Sequence, residues 1–476
     1  MADAPTQTAL GLAASYRSGD TTPTDVVEHY LARIAESSDR VGAFVTVTAD
    51  SALAAAKAAT DRYAVGEPLP PLFGVPTAIK DLNLTAGVRT MFGSLTTKDF
   101  VPAVSDEVVL RIEAAGMISL GKTNTPEFGS PCYTEPDVAP PARTPYDLER
   151  SAGGSSGGAG AAVSSGLVPV AQGSDGGGSI RIPASVCGLV GFKPSRGRIS
   201  RAPIYGDITG LSTAGPLALT VRDAAALLDA MAGHRPGDAM WAAELPAGES
   251  YLGWCDRPRQ HLRIARFADP AIASAEVDPQ VRQAYDDAGA LLQRLGHEVV
   301  DVEVPMATDI VATFETVWAV SSTLWPLAPG ADRLVRPLTR WLRDRGEATS
   351  APDFGAALVA MNQAAAQALE ALSGFDAVLT PTLAQLPAMV GGIRNDDDPA
   401  ADFEAQKAFT PFTSTWNITG MPAVSLPTAW SREGLPIGVM LGGRPGEDHL
   451  LFALAQQIED ELSDPGHPWR RPPTDL

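Results

Sequence analysis

Two segments rich in glycine and serine constrain the possible folds of this chain more than any other feature. Residues 153–158 read Gly-Gly-Ser-Ser-Gly-Gly, and residues 173–183 begin Gly-Ser-Asp-Gly-Gly-Gly-Ser. Glycine at this density permits positive φ angles and lets N–H groups converge on a ligand without obstruction by Cβ atoms. A flexible linker is the alternative, but linkers do not normally lie between apolar and Ala-rich runs as these segments do. The pattern therefore indicates a site for an anion or a developing oxyanion.

One serine, Ser179, directly follows the three glycines of the second segment. Its hydroxyl could share a cavity with the preceding amides, so that a nucleophile and oxyanion donors would be neighbours. It could equally be the N-cap of a helix that starts at Ile180, and spacing alone leaves the two interpretations open. A nucleophilic serine needs a base, and the six histidines are dispersed without metal-binding or catalytic spacing.

Lysine is one remaining candidate for the base, and Lys80 ends an apolar run, residues 75–80, that could deliver its side chain into a buried site. A lysine acts as a base only when neutral, and a pKa of about 10.4 leaves on the order of one in a thousand neutral at pH 7. Burial would have to lower that pKa. Considered alone, Lys80 beside Asp81 more often forms a surface ion pair.

Composition argues against several other classes of protein. A net charge of −20 would repel nucleic acid and anionic lipid, so neither partner is expected. No run approaches the roughly 20 apolar residues of a membrane span, and the first residues lack the features of a signal peptide, so we expect a cytoplasmic protein. Neither a metal nor a cofactor is expected. The cysteines form no C-x-x-C pair and are expected to be buried structural thiols: Cys132, Cys187 and Cys255.

Residues 116–123 match the letters of a phosphate-binding loop, G-x-x-x-x-G-K-[ST]. That loop requires the order strand, glycine turn, helix. Here a helix over residues 105–115 is predicted to come first, and residues 117–120 are typical of a strand. Nucleotide binding is therefore not expected.

Short β-like runs alternate with helical segments over most of the chain, which predicts an α/β layered fold, preferably one domain with insertions. The predicted strands cover residues 74–80, 117–120, 167–171, 189–192, 262–265 and 298–304. Predicted helices include residues 51–59 and 279–295. Residues 235–260 and 388–402 are rich in Pro, Gly and Asp and are predicted to be loops.

Together these segments resemble the amidase signature family. The family's pattern agrees, in order, with residues 74–81, 153–158 and 173–184. Flanking residues agree at 121–127, 187–194, 376–382 and 419–427. The resemblance covers nearly the whole chain and is weakest between about residues 235 and 370.

The resemblance implies a Ser-cisSer-Lys triad. Ser179 would be the nucleophile, Ser155 a bridging serine on a cis peptide bond after Gly154, and Lys80 the base. The family's separation between the two serines selects Ser155 over Ser156. A neutral Lys80 would draw a proton from the nucleophile through the bridging serine.

Further roles follow from the same resemblance. The developing oxyanion would be held by the N–H groups of Gly176, Gly177, Gly178 and Ser179. Asp175 and Arg181 would support this loop, or form an ordinary buried ion pair. Gly129 and Ser130 would line the acyl side of the pocket. Gly176 stands where many members carry Thr, and residues 139–146 depart from the commoner family pattern, so the substrate's shape stays open.

The implied architecture is the amidase signature fold, an α/β fold with a mixed central β-sheet between helical layers. A single domain is expected, with a helical N-terminal layer (about 1–65), a catalytic core (about 70–232), a variable substrate-shaping region (about 235–410) and a C-terminal return to the core (about 411–476). We expect a monomer or homodimer.

The implied activity is hydrolysis of a C–N amide bond in a small molecule through an acyl-enzyme. An aryl amide, nylon-type oligomer, ester or carbamate could be the substrate, and the sequence is most similar to the nylon-oligomer and aryl-amide branch. One alternative is the glutamine-dependent amidotransferase subunit of the same family, which usually has Gln after the loop arginine, where this chain has Ile182. Another is a catalytically silent binding protein on this fold.

Overall fold

The N-terminal part of the molecule is mostly helical. The computed structural model describes residues 8–270, 272–307 and 310–463. Its first helices are α1 (Ala9–Ser18), α2 (Pro23–Val41) and α3 (Ala49–Val65). Helix α2 begins with a capping box, because Thr22 and Asp25 exchange hydrogen bonds around a proline in the first turn. The predicted helix at residues 51–59 lies within α3, but the layer is not wholly helical, since β1 (Phe44–Val47) pairs with a later strand.

A small sheet has the strand order β1-β3-β2, where β2 is Pro76–Lys80 and β3 is Ile118–Thr123. Strands β2 and β3 are parallel, and α4 (Glu107–Ala114) precedes β3. The Gly-Lys-Thr of the apparent phosphate-binding loop lies inside β3, and a short 3₁₀ turn (Glu127–Gly129) follows. The order strand, glycine turn, helix is therefore absent here, as predicted.

The central sheet has eight strands in the order β4-β6-β5-β10-β11-β9-β7-β8. In chain order they are β4 (Val170–Asp175), β5 (Val190–Lys193), β6 (Thr213–Ala218), β7 (Arg263–Arg266), β8 (Glu298–Asp301), β9 (Ala377–Pro381), β10 (Ala423–Trp430) and β11 (Pro436–Gly443). Strand β7 is parallel to β8 and β9, whereas the other pairs are antiparallel, so the predicted mixed sheet is confirmed.

The predicted strand limits differ from the observed ones by up to four residues, since β3 ends at Thr123 rather than Leu120 and β4 at Asp175 rather than Ala171. Strand β4 begins at Val170 rather than Leu167, because the residues before it close the C-terminal end of a helix: the N–H of Leu167 donates to the carbonyl of Ala162. Strand β8 ends at Asp301 rather than Val304. It is an edge strand with β7 as its sheet partner, and their pairing ends with β7.

Helices pack against both sheets. After α4 they are α5 (Gly157–Ser164), α6 (Arg181–Val186), α7 (Val221–Met231), α8 (Tyr251–Trp254), α9 (Pro279–Arg294), α10 (Ile310–Thr323), α11 (Pro337–Ala348), α12 (Ala351–Leu372), α13 (Pro399–Phe409), α14 (Thr415–Thr419) and α15 (Asp448–Leu462). The predicted helix at 279–295 is confirmed as α9. The two predicted loops contain the short α8 and the start of α13. The single domain with four regions stays a prediction.

Small residues let α5 lie against the small sheet. The helix is buried along its whole length, and a Cβ atom on Gly158 would lie 2.3 Å from the backbone nitrogen of Asn124. Nearby, the Thr77 hydroxyl donates to the carbonyl of Val170 at 3.1 Å, and the N–H of Lys80 donates to Gln172 Oε1 at 2.9 Å. These contacts bring the end of β2 against β4, where the two sheets meet. Among the described residues, no helix is long and apolar enough to cross a membrane.

Candidate active site

Lys80 is fully buried at the end of β2. Its Nζ lies 2.8 Å from Ser155 Oγ and donates to the carbonyl of Ser174 at 3.2 Å. A surface ion pair between Lys80 and Asp81, which the sequence alone favoured, is not what the structure has. Asp81 is buried as well, and it pairs instead with Lys122, whose Nζ lies 3.4 Å from Asp81 Oδ1.

Burial lowers the pKa of Lys80 to about 7 from an ordinary value of 10.5, because desolvation disfavours the ammonium ion. The negative charge of Asp175 opposes this shift without cancelling it. A lysine with a pKa near 7 is about half neutral at pH 7, whereas an ordinary lysine is neutral in about one molecule in three thousand.

Ser155 is buried between Lys80 and the cavity, and a cis peptide bond joins it to Gly154. The neighbouring hydroxyl of Ser156 has a different environment, because it exchanges hydrogen bonds with the backbone N–H and carbonyl of Ser174. Ser155 is therefore the serine of this pair that meets the lysine amine. A Cβ atom on Gly154 would lie 2.8 Å from the backbone of Tyr133, so the two backbone segments can approach this closely only because residue 154 is glycine.

Ser179 follows the end of β4 and is 8% exposed. Its carbonyl accepts from the N–H of Ser156 at 3.1 Å, which ties the two Gly/Ser segments together. Ser155 and Ser179 line the same cavity. The N-cap interpretation of Ser179 is wrong, because Ile180 precedes α6 as its N-cap residue and no side chain caps that helix.

The glycines before Ser179 present some of the expected oxyanion donors. The prediction for Gly178 is corrected, since its N–H donates to Asp175 Oδ1 at 2.8 Å. The N–H groups of Gly176, Gly177 and Ser179 have no acceptor within the part of the chain that the structure describes. Three N–H groups in this loop are therefore available to a ligand.

The loop is fixed from behind by a buried ion pair. Both oxygens of the Asp175 carboxylate accept from Arg181, at 2.9 Å each, and neither side chain is exposed. Burial raises the pKa of Asp175, but the charge and hydrogen bonds of Arg181 outweigh it and hold that pKa well below its usual value. Asn417 donates to Asp175 Oδ1 at 2.9 Å and accepts from Arg181 at 2.7 Å. The sequence did not predict the role of Asn417, because its neighbours in the chain do not indicate a contact with Asp175 or Arg181.

The cavity in front of the serines has a volume of about 420 Å³. Gly129 and Ser130 line it, and their predicted place on the acyl side of the pocket stays a prediction. Much of the remaining wall is apolar and was not predicted: Leu82, Phe128, Leu211, Trp318, Leu324 and Trp325. Phe128 and Trp325 stack with their ring centroids 5.2 Å apart. Several of these residues come from α10 and the segment after it, within the part predicted only as a variable substrate-shaping region.

The predictions also concern the cysteines and the candidate metal ligands of the described residues. The three cysteines are buried and free, as predicted, and burial raises the thiol pKa of Cys187 and Cys255 to about 12. Within residues 8–270, 272–307 and 310–463, no cluster of His, Cys, Asp or Glu could hold a metal ion.

Comparison with known proteins finds relatives over nearly the whole chain. The family model described as Amidase matches residues 25–452. A 6-aminohexanoate-cyclic-dimer hydrolase of Paenarthrobacter ureafaciens is 32% identical over 98% of this chain and 96% of its own. A glutamyl-tRNA(Gln) amidotransferase subunit of Synechococcus sp. (strain CC9311) is 36% identical over 93% and 94% of the two chains. A solved structure of 6-aminohexanoate cyclic dimer hydrolase superposes with a TM-score of 0.90 at 31% identity and covers 100% of both chains.

Proposed function

Since this chain belongs to the amidase signature family and is an amide hydrolase, we propose that it cleaves C–N bonds through an acyl-enzyme on Ser179. Ser155 and Lys80 relay the proton. The observation that carries the proposal is the 2.8 Å contact between the Lys80 amine and the Ser155 hydroxyl in a fully buried position. An amine with a pKa of about 7 can accept a proton near neutral pH, which an ordinary lysine cannot do.

Acylation begins with proton transfer to the lysine. Neutral Lys80 takes the Ser155 proton while Ser155 takes the proton of Ser179, whose oxygen bonds to the substrate's carbonyl carbon. The N–H groups of Gly176, Gly177 and Ser179 stabilise the negative oxygen that forms. When this intermediate collapses, the C–N bond breaks, Ser155 gives its proton to the departing amine, and Lys80 returns a proton to Ser155 and becomes neutral again. Water then hydrolyses the acyl-enzyme.

We further propose that the substrate is a neutral amide with an aryl or aliphatic body. Among the described residues, the cavity wall contains no Lys or Arg, and its ionisable members are Asp106 and Asp207. Asp207 already accepts from Arg201 and from backbone N–H groups, and Asp106 accepts from Asn83. A substrate carboxylate buried here would lose its water and find no cation, which disfavours binding. The cyclic dimer named for the Paenarthrobacter relative is a neutral amide of this kind.

The glutamine-dependent amidotransferase subunit is the second candidate, because relatives with that name share about a third of this sequence. Free glutamine carries a carboxylate and an ammonium group, and the cavity wall offers no cation for the carboxylate. This charge distribution favours hydrolysis of a neutral amide. A silent binding protein is disfavoured, since a buried lysine with a lowered pKa costs stability that binding alone would not require.

The test compares kcat/KM for a neutral anilide, the same anilide with a carboxylate on its acyl chain, an aliphatic amide, a nylon oligomer, an aryl ester, a carbamate and glutamine. We expect the neutral anilide to exceed its carboxylate analogue by about 100-fold or more, since the buried anion stays unpaired. Ser179→Ala should abolish turnover of every substrate. A preference for glutamine or for the carboxylate analogue would overturn the substrate class, and an active Ser179→Ala would overturn the mechanism.

A further inference from the structure

A tryptophan side chain separates the catalytic cavity from a smaller neighbour. This second cavity, of about 60 Å³, also reaches Ser179, and we call it the side chamber. Three residues line both cavities: Ser130, Ser179 and Trp318. Trp318 is by far the largest of the three, so its indole ring supplies most of the partition between the two spaces.

Two contacts hold the indole ring in this position. Its Nε1 donates to Ser130 Oγ at 3.1 Å. The ring also stacks on Phe314, which lies one turn earlier in α10, with the ring centroids 5.4 Å apart. A ring held by both a hydrogen bond and a stacking contact loses favourable interactions when it moves aside for a ligand. The indole therefore acts as a wall of the catalytic cavity.

The indole ring lies beside the loop that presents the free N–H groups. Its Cη2 would be 3.6 Å from a Cβ atom on Gly176 and 3.9 Å from one on Gly177. A Cβ on Gly176 would already be in van der Waals contact with the ring, so the Thr that many family members carry there would compete with Trp318 for space. The substrate's carbonyl oxygen has to face these N–H groups in the reaction. The ring therefore borders the groups bonded to the scissile carbonyl carbon.

We propose that Trp318 is a specificity-determining residue that restricts this enzyme to amides whose acyl group is unbranched next to the carbonyl. This inference rests on the proposed function and narrows its substrate class. The acyl group is the part concerned, because the indole is bonded to Ser130, which is predicted to line the acyl side of the pocket. An unbranched acyl chain can extend along the catalytic cavity, whereas extra substituents on its first carbon need the space that the ring occupies.

The side chamber gives the size of the substituents that the ring excludes. A group the size of a water molecule takes about 30 Å³, so a chamber of about 60 Å³ has room for about two such groups. A pivaloyl group exceeds a propanoyl group by two methyl groups on the first carbon. Replacing the indole by a small side chain would join the side chamber to the catalytic cavity and make this space available to them.

The experiment compares kcat/KM for the p-nitroanilides of propanoic and pivalic acid in the wild type, Trp318→Ala and Trp318→Leu. Comparing the pivaloyl-to-propanoyl ratio between enzymes cancels the different chemical reactivities of the two substrates. We expect this ratio to rise by about 10-fold or more in Trp318→Ala and by a smaller factor in Trp318→Leu, since each sterically excluded group weakens binding by about 10-fold or more. Thermal melts establish that the variants fold, and Trp318→Leu carries the test if Trp318→Ala does not.

Trp325→Ala is the matched control. Trp325 also lines the catalytic cavity, where it stacks on Phe128, but the described wall of the side chamber does not include it. This variant should lower kcat/KM for both substrates and leave their ratio within about 2-fold of the wild type. An unchanged ratio in a folded Trp318 variant, or an equal rise in Trp325→Ala, would overturn the inference while leaving the proposed function intact. Failure of the proposed function is distinct, since Ser179→Ala would then release p-nitroaniline from the propanoyl substrate as fast as the wild type.

Discussion

Lowering the pH below 7 should remove activity in proportion to the neutral fraction of Lys80. With a pKa of about 7, the amine is neutral in about 1% of molecules at pH 5, about 9% at pH 6 and about 91% at pH 8. Activity rises with pH because only the deprotonated amine can accept a proton. Therefore kcat/KM should rise about 100-fold between pH 5 and pH 9, with its midpoint near pH 7 and a plateau above about pH 8.

The assay is release of p-nitroaniline from a neutral anilide at substrate concentrations well below KM, at each half pH unit from 5 to 10. Lys80→Met is the control, because methionine fills a similar volume without an amine; its activity should fall by several orders of magnitude and lose the pH dependence. A flat profile would show that activity does not depend on a neutral Lys80. A rate that still increases tenfold per pH unit between 8 and 10 would contradict the lowered pKa, since that is the behaviour of a lysine near the ordinary pKa of 10.5.

Three further predictions concern the Gly/Ser segments and their support. Gly178→Ala should lower stability by about 1–3 kcal/mol, because the φ of Gly178 is +136° and a Cβ would lie 2.5 Å from a threonine hydroxyl. Gly176→Ala is the control for thermal melts and should keep the wild-type Tm, because the nearest atom to its Cβ would be 3.6 Å away. Arg181→Leu should cost about 3–5 kcal/mol in urea unfolding by leaving a buried carboxylate unpaired, and an unchanged midpoint would contradict this. Ser155→Ala should lower kcat by orders of magnitude, whereas Ser156→Ala should lower it far less; equal losses would remove the distinction between the two serines.

Much of the region around the two Gly/Ser segments could be predicted from local sequence. Clusters of glycine in a sequence indicate places where backbone segments approach each other closely. The structure has such contacts at Gly154 and Gly158. The apolar run before Lys80 also predicted that this residue ends a strand. Its contact with Ser155 came from the resemblance, because the two residues meet only when the small sheet lies against the central one.

The apolar wall of the cavity could not be predicted, because it depends on contacts between distant parts of the chain. Trp318 and Trp325 reach the cavity from α10 and the segment after it, and an aromatic residue on a helix is usually part of a core. Asn417 supports the catalytic loop across a sequence separation of more than 200 residues. The predicted donor role of Gly178 was wrong for a similar reason, since spacing does not reveal which N–H turns back to Asp175.

Titration of the amine itself measures whether Lys80 is neutral near physiological pH. Lysine labelled with ¹³C at the ε carbon reports the charge of each amine by NMR. Burial also lowers the pKa of Lys193 to about 7, so Lys80→Met is needed to identify the Lys80 resonance. We predict that the resonance lost in this variant titrates with a midpoint near pH 7. A midpoint near the ordinary value of 10.5 would mean that Lys80 is protonated at neutral pH and cannot serve as the base.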